Sequence, residues 1–254
     1  MSQATTSLDA LATRAKIAVI VPATNTIVQP EMEAMRPPGV TNHVSRMLLP
    51  VRPYDDMQAY RQALDTEKGN LEEALSLVLP CEPHAVAHGH SIHSFRGDRA
   101  RAQAEQDRLE ALAGIPFITP SVAVLEGLKA MGDPKRIAVL TPYWPPADAL
   151  IQEFFVSCGY DVVANHGLKA KGPISVAQFT PEQIMDGFKA LNVAGVEAFV
   201  HVGTNLPVSA LTPQIEAAFG KPLIGVNVAT YWLALRRLGI QDPLTGFGLL
   251  AEKY

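Results

Sequence analysis

Cysteine is scarce in this chain: 254 residues carry two, Cys81 and Cys158. Two thiols without a metal-type spacing exclude a disulfide framework and a thiolate zinc module, and they point to a reducing, cytoplasmic setting. Charge of one sign is also lacking, with 21 Lys and Arg against 25 Asp and Glu, a formal net charge of −4. No basic block or stripe is present, so neither a nucleic-acid surface nor an anionic membrane surface is expected as a partner. No apolar run approaches the roughly 18 residues of a membrane span. The first 15 residues, rich in Ser, Thr and Ala, lack the basic-then-apolar order of a secretory signal and read as a flexible extension.

Hydrophobic residues, at 48%, are ample for a core, and their arrangement repeats. Lys16–Pro22 (KIAVIVP) is answered by Arg136–Pro142 (RIAVLTP). His84–Ser91 (HAVAHGHS) is answered by Ala198–Asn205 (AFVHVGTN), and Ile115–Gly132 by Lys221–Gly239. Three pairs in the same order imply two similar halves, 16–133 and 134–254, with the C-terminal segment free to cross back to the first. The short β-branched runs have the character of buried parallel strands. Helical patterns lie between them at Asp56–Leu79, Asp98–Leu112, Thr180–Leu191, Thr212–Phe219 and Ala229–Leu238. Thr180-Pro181-Glu182-Gln183 has the form of a capping box with proline at the first helical position. Alternating strands and helices predict an α/β fold of two similar Rossmann-like lobes, with parallel sheets related by a pseudo-twofold and a site in the cleft between them.

The functional residues should therefore follow Val21, Ala87, Leu140 and Val202. The loops there contain Thr24 and Asn25; His88, Gly89, His90, Ser91 and His93; Tyr143 and Trp144; and Gly203, Thr204 and Asn205. Ser121 and Asn227 follow the last strand of each half. Hydroxyls, amides and glycine-exposed N–H groups suit the grip of a carboxylate. Asn25, Thr204 and Asn205 are equally suited to capping helices, and a cap can still line a cleft.

These loops resemble the aspartate/glutamate racemase superfamily, in its arylmalonate decarboxylase and maleate isomerase branch. VPATNT is similar to the maleate isomerase signature whose Asn contacts a substrate carboxylate. GTNLPV resembles Cys-Thr-Asn-Leu-Pro of the same enzymes, and VNVATYW resembles their Asn-x-Ala-Thr-x-Trp segment. GHSIHSFRG resembles the decarboxylase segment Gly-Thr-Ser-Leu-Ser-Phe-Tyr-Arg-Gly, and TPY matches a carboxylate-binding tyrosine of both. The resemblance implies a cofactor-independent and often oligomeric enzyme. In it Asn25, Thr24, Gly89, Ser91, Gly203, Thr204, Asn205 and Asn227 would bind a small carboxylate, with Tyr143 assisting.

The family's two thiols, one per half, fall at Gly89 and Gly203. Glycine carries no ionisable group, so two-thiol racemization is excluded, and thiolate addition to maleate or thiol protonation after decarboxylation loses its agent. Imidazole, with an ordinary pKa near 6.5, is the natural replacement. His90 is expected to transfer the proton, with His93 or His88 orienting it. His88 and His90 should project to one face of the strand. A zinc site of His88, His90 and His93 is the metal alternative. His201 reads as a satisfied core histidine, Arg96 as a structural ion-pair partner, and Trp144 and Trp232 as packing residues.

The first expectation is thus a decarboxylase-like lyase or a cis–trans isomerase working through an enolate-like intermediate. A hydrolase of a cyclic amide or lactone, with histidine-activated water, is the alternative. A non-catalytic carboxylate-binding protein is the third reading.

Overall fold

The computed structural model describes residues 8–49 and 69–254. The helical expectation over 56–68 and the first seven residues of the N-terminal segment lie outside that range. Two four-stranded, all-parallel sheets form the framework. The first has the order β2-β1-β3-β4, built from β1 (Ala15–Pro22), β2 (Val40–Met47), β3 (Ala85–His88) and β4 (Phe117–Ile118). The second has the order β6-β5-β7-β8, from β5 (Arg136–Thr141), β6 (Asp161–Gly167), β7 (Ala198–His201) and β8 (Leu223–Gly225). The two orders are the same, as the internal repeat predicts.

The strand sequences follow from position in the sheet. Every residue of β1 is buried, because a central parallel strand is covered on both faces, and its run is correspondingly apolar. Edge strand β6, partly exposed along its whole length, tolerates Asp161, Asn165 and His166. In each sheet the chain leaves a central strand toward one edge and then returns to the other side. A crevice therefore opens beyond the C-terminal ends of β1 and β3, and of β5 and β7.

The helices are α1 (Val28–Ala34), α2 (69–78), α3 (Arg99–Ala113), α4 (Pro120–Ala130), α5 (Pro145–Ser157), α6 (Pro181–Leu191), α7 (Thr212–Phe219), α8 (Val226–Arg237) and α9 (Leu249–Lys253). None of those described is long and apolar enough to cross a membrane. Thr180 caps α6 with the full capping box to Gln183, satisfying two N–H groups that the helix itself cannot.

Helix α8 starts three residues earlier than its pattern suggested, and Val226–Leu235 are all buried. It packs against α4 and α1 and against β3 and β4, strands of the first sheet, while α4 reaches β8. One hydrophobic cluster accordingly joins Val19, Val124, Val139 and Tyr231 across both halves. The turn at Gly132 and Asp133, with φ of 91° and 55°, separates the two sheets, and this shared cluster spans it while two smaller clusters stay within one half each.

The N-terminal segment is tied down before residue 15. Ala12 is fully buried, Arg14 pairs with Asp242 at 2.5 Å, and Ala15 already belongs to β1. Residues 12–15 are therefore not part of a flexible extension, and Arg14 ties the start of β1 to the segment after α8.

Candidate active site

The crevices of the two sheets meet in one small cavity of about 40 Å³. Pro22, Thr24, Asn25 and His90 line it from the first half, and Pro142, Tyr143, Val176, Gly203, Thr204 and Asn205 from the second. Each comes from the end of a strand or the loop beyond it, except Val176, which sits in the 3₁₀ turn Ser175–Gln178.

Asn25 does two jobs. Its Oδ1 accepts from the N–H groups of Ile27 (3.0 Å) and Val28 (2.9 Å), closing the start of α1. Its Nδ2 donates to Thr204 Oγ1 at 3.3 Å, across the cleft. Asn205 returns the contact: its Oδ1 accepts from Thr26 N–H at 2.9 Å, and its Nδ2 donates to Pro173 O at 2.9 Å. Asn25 is thus a cap that also faces the cavity, whereas Asn205 bridges the halves instead of capping.

Ser91, Gly89 and Asn227 do not line the cavity, contrary to expectation. Ser91 is fully buried behind it, with Oγ 3.2 Å from Tyr143 OH and accepting from Thr204 N–H at 3.4 Å. Gly89 is buried too, and a Cβ there would point at methyl groups of Val21 and Val28, each at 2.8 Å. Asn227 lies behind Thr204, donating through Nδ2 to Thr204 O (2.9 Å) and to Glu31 Oε2 (2.7 Å). Three of the expected substrate contacts are therefore a supporting layer. The cause is depth: a residue on the strand or at the foot of a helix is covered by the loop above it.

The histidines divide. His90 is half-buried and borders the cavity. His93 lies beside it, with ring centroids 5.6 Å apart, but does not itself line the cavity. His88 ends β3 and is buried against Phe117 at 5.9 Å between ring centres. Its ring is 6.2 Å from that of His90 and nearly perpendicular to it; His90 falls beyond the strand, where strand alternation no longer governs direction. Among the described residues no group of three His, Cys, Asp or Glu side chains is placed to hold a metal ion.

His201 is buried as expected but not fully satisfied. It is hydrogen-bonded to the backbone of Gly203, its Nε2 has no partner, and burial pushes its pKa down from 6.5 to about 3. Trp144 and Trp232 are anchored through Nε1 to the carbonyls of Ala170 and Tyr254, each at 2.8 Å. Arg96 makes no ion pair among the described residues; its carbonyl accepts from Arg101. Cys81 is exposed in the turn before β3, and Cys158 sits at the C-terminal end of α5, so neither lines the cavity.

Sequence reasoning missed Pro22, Pro142 and Val176 as walls, and it missed Glu31. Glu31 accepts from Ser209 N–H (3.0 Å), Ser209 Oγ (2.5 Å) and Asn227 Nδ2. Part of its stem reaches the surface, but the carboxylate is enclosed between the halves, where loss of water raises its pKa against the pull of those donors. A signal existed: Glu31 shares a helix stripe with the buried Val28, Met32 and Met35, a position where an unpartnered charge is costly.

The arylmalonate decarboxylase family model matches residues 17–251. Maleate isomerase of Pseudomonas putida is 29% identical over 248 residues, 92% of this chain and 96% of that protein. Arylmalonate decarboxylase of Bordetella bronchiseptica is 28% identical over 156 residues, 59% of this chain and 63% of that protein. The solved maleate cis–trans isomerase of Nocardia farcinica, bound to TRIS, superimposes with a TM-score of 0.83 at 22% identity, covering 94% of this chain and 98% of that one. By its sequence from residue 17 to 251, the chain belongs to the arylmalonate decarboxylase family.

Proposed function

We propose that this protein is a cofactor-independent enzyme that decarboxylates a small malonate-type acid, with His90 as the proton-transfer group. The carrying observation is the cavity itself, where an imidazole and neutral donors from both halves converge and no cysteine is present. Loss of CO₂ leaves an electron pair that delocalises into the remaining carboxylate as an enediolate. Asn25, Tyr143, Thr204 and Asn205 would hold its oxygens, supplying stabilisation where the charge develops. Protonated His90 would then deliver its proton to the carbon and recover one from water, so that the net change is loss of CO₂ and gain of H⁺. His93, whose ring lies 5.6 Å from that of His90, would orient it.

A second reading is cis–trans isomerization of a maleate-like diacid. The near full-length match to the Pseudomonas putida isomerase favours it. Without a thiol at the cavity it would need another nucleophile, which weighs toward decarboxylation.

The test is a panel of aryl- and alkylmalonates, maleate, hydantoins and lactones given to the purified protein, with CO₂ release and product structure followed together. Release of CO₂ with one solvent deuterium fixed at the α-carbon supports the proposal. Fumarate from maleate without CO₂ selects the isomerase. Label from ¹⁸O-water in a ring-opened product would select the hydrolase, and binding of a malonate without turnover of any compound would select a carboxylate-binding protein.

A further inference from the structure

We propose that Glu31 is a positioning residue for the anion-holding loop, acting through Asn227 on Thr204. The proposal rests on the reading of the cavity as a carboxylate site.

Glu31 belongs to α1 of the first half, while its three donors, Ser209 N–H, Ser209 Oγ and Asn227 Nδ2, all belong to the second. Asn227 Nδ2 has a second acceptor, Thr204 O at 2.9 Å, whereas Asn227 Oδ1 is buried with no partner. Two acceptors on one side fix the direction of the amide. Turned over, Asn227 would present an oxygen to a carboxylate and a carbonyl at once: Thr204 O would lose its donor, and Glu31 Oε2 would keep Ser209 Oγ but face a like-signed oxygen. The carboxylate of Glu31 therefore selects the only orientation in which Asn227 can hold the Thr204 carbonyl.

Thr204 is held at its hydroxyl, its N–H and its carbonyl. Its hydroxyl accepts from Asn25, its N–H donates to Ser91, and its carbonyl is held by Asn227. Only the first of these partners lines the cavity. Helix α1 is thus fastened to the second half on both sides, through Asn25 to Thr204 just ahead of its start and through Glu31 to Ser209 and Asn227. A glutamine at 31 would direct an NH₂ group at one of the converging donors, releasing part of this clamp while keeping size and shape.

The experiment reads affinity and local exchange separately. Isothermal titration of malonate into Glu31→Gln should show binding weakened roughly tenfold, the scale of one hydrogen bond to a charged group. Asn227→Ala should show a similar loss, and the double variant no more than the larger single one, because both act through one link. Glu216→Gln is the control for a merely structural carboxylate: Glu216 is buried and accepts from Leu223 N–H (3.0 Å) and Leu249 N–H (2.9 Å), and neither it nor these partners line the cavity. It should lower the melting temperature without weakening malonate. Hydrogen–deuterium exchange over 203–206 should quicken in Glu31→Gln and not in Glu216→Gln.

Malonate affinity within twofold of the parent in Glu31→Gln, or losses that multiply in the double variant, would overturn the proposal. If the parent binds neither malonate nor maleate, the carboxylate reading fails instead. The exchange result then decides the Glu31 link alone, and unchanged exchange over 203–206 would reject it.

Discussion

The hydroxyl of Tyr143 lies 3.2 Å from Ser91 Oγ, joining the loop after β5 to the loop after β3. Tyr143 faces the cavity and Ser91 lies behind it, so the two should fail differently. Tyr143→Phe removes a donor at the anion and should lower kcat/KM by roughly 10²-fold, the lower range for loss of an oxyanion donor. Ser91→Ala leaves the phenol in place but frees it to turn, and should cost about tenfold or less. Steady-state kinetics on both variants would check this, and an equal loss in both would show Ser91 to be a direct contact.

His90 is the one histidine bordering the cavity. Replacing it with alanine should reduce turnover by about 10² to 10⁴, the usual contribution of a positioned general acid or base. His93→Ala should reduce it less, because His93 does not line the cavity. Full activity on the true substrate in His90→Ala would remove histidine from the mechanism.

The strands were readable because central parallel strands bury both faces, so KIAVIVP and RIAVLTP appear as uninterrupted apolar runs. Thr180–Gln183 was readable because a capping box is a local pattern with a local cause. What escaped was decided by partners distant in sequence. Whether Ser91 touches a ligand or Tyr143 depends on a loop 52 residues away. Helix α8 begins at Val226 and covers the other sheet, and no periodicity states which sheet a buried helix will choose. Asn227 lies behind the cavity, and its partner Glu31 lies 196 residues away.

Gly89 and Gly203 are not equivalent. Gly203 has a φ of +149°, and a Cβ there would approach Pro142 Cδ to 2.4 Å. Gly89 has no positive φ, and a Cβ there meets only valine methyl groups at 2.8 Å. Gly203→Ala carries both backbone strain and overpacking and should cost about 2–4 kcal/mol. Gly89→Ala should cost about 1–2 kcal/mol, since valine side chains can rotate away where a proline ring tied to the backbone cannot. Thermal unfolding should separate them by several degrees, at about 2–4 °C per kcal/mol for a chain near this size. It follows that a thiol is introduced more readily by Gly89→Cys than by Gly203→Cys. Equal melting temperatures would mean that Pro142 moves aside.

His201 gives the chain a stability that depends on pH. Its folded pKa of about 3 lies below the ordinary 6.5 because burial disfavours the imidazolium. Above pH 6.5 the imidazole is neutral in both folded and unfolded chains and contributes no dependence. As pH falls below 6.5 the unfolded chain takes up a proton that the folded chain refuses, so stability is lost progressively toward pH 3. The slope approaches about 1.4 kcal/mol per pH unit. The carboxylates of Glu31, Asp148 and Glu216, all raised chiefly by burial, act in the opposite sense: each binds its proton more readily folded than unfolded and gains stability as pH falls toward 4. The wild-type curve alone therefore mixes the two. A comparison of wild type with His201→Gln cancels the carboxylates, because the variant retains them and loses only the imidazole. Urea unfolding at pH 8, 6 and 5 should show wild type losing ground to the variant by roughly 1–2 kcal/mol between pH 6.5 and 5. A difference that stays constant over that interval would mean that His201 takes up its proton inside the fold.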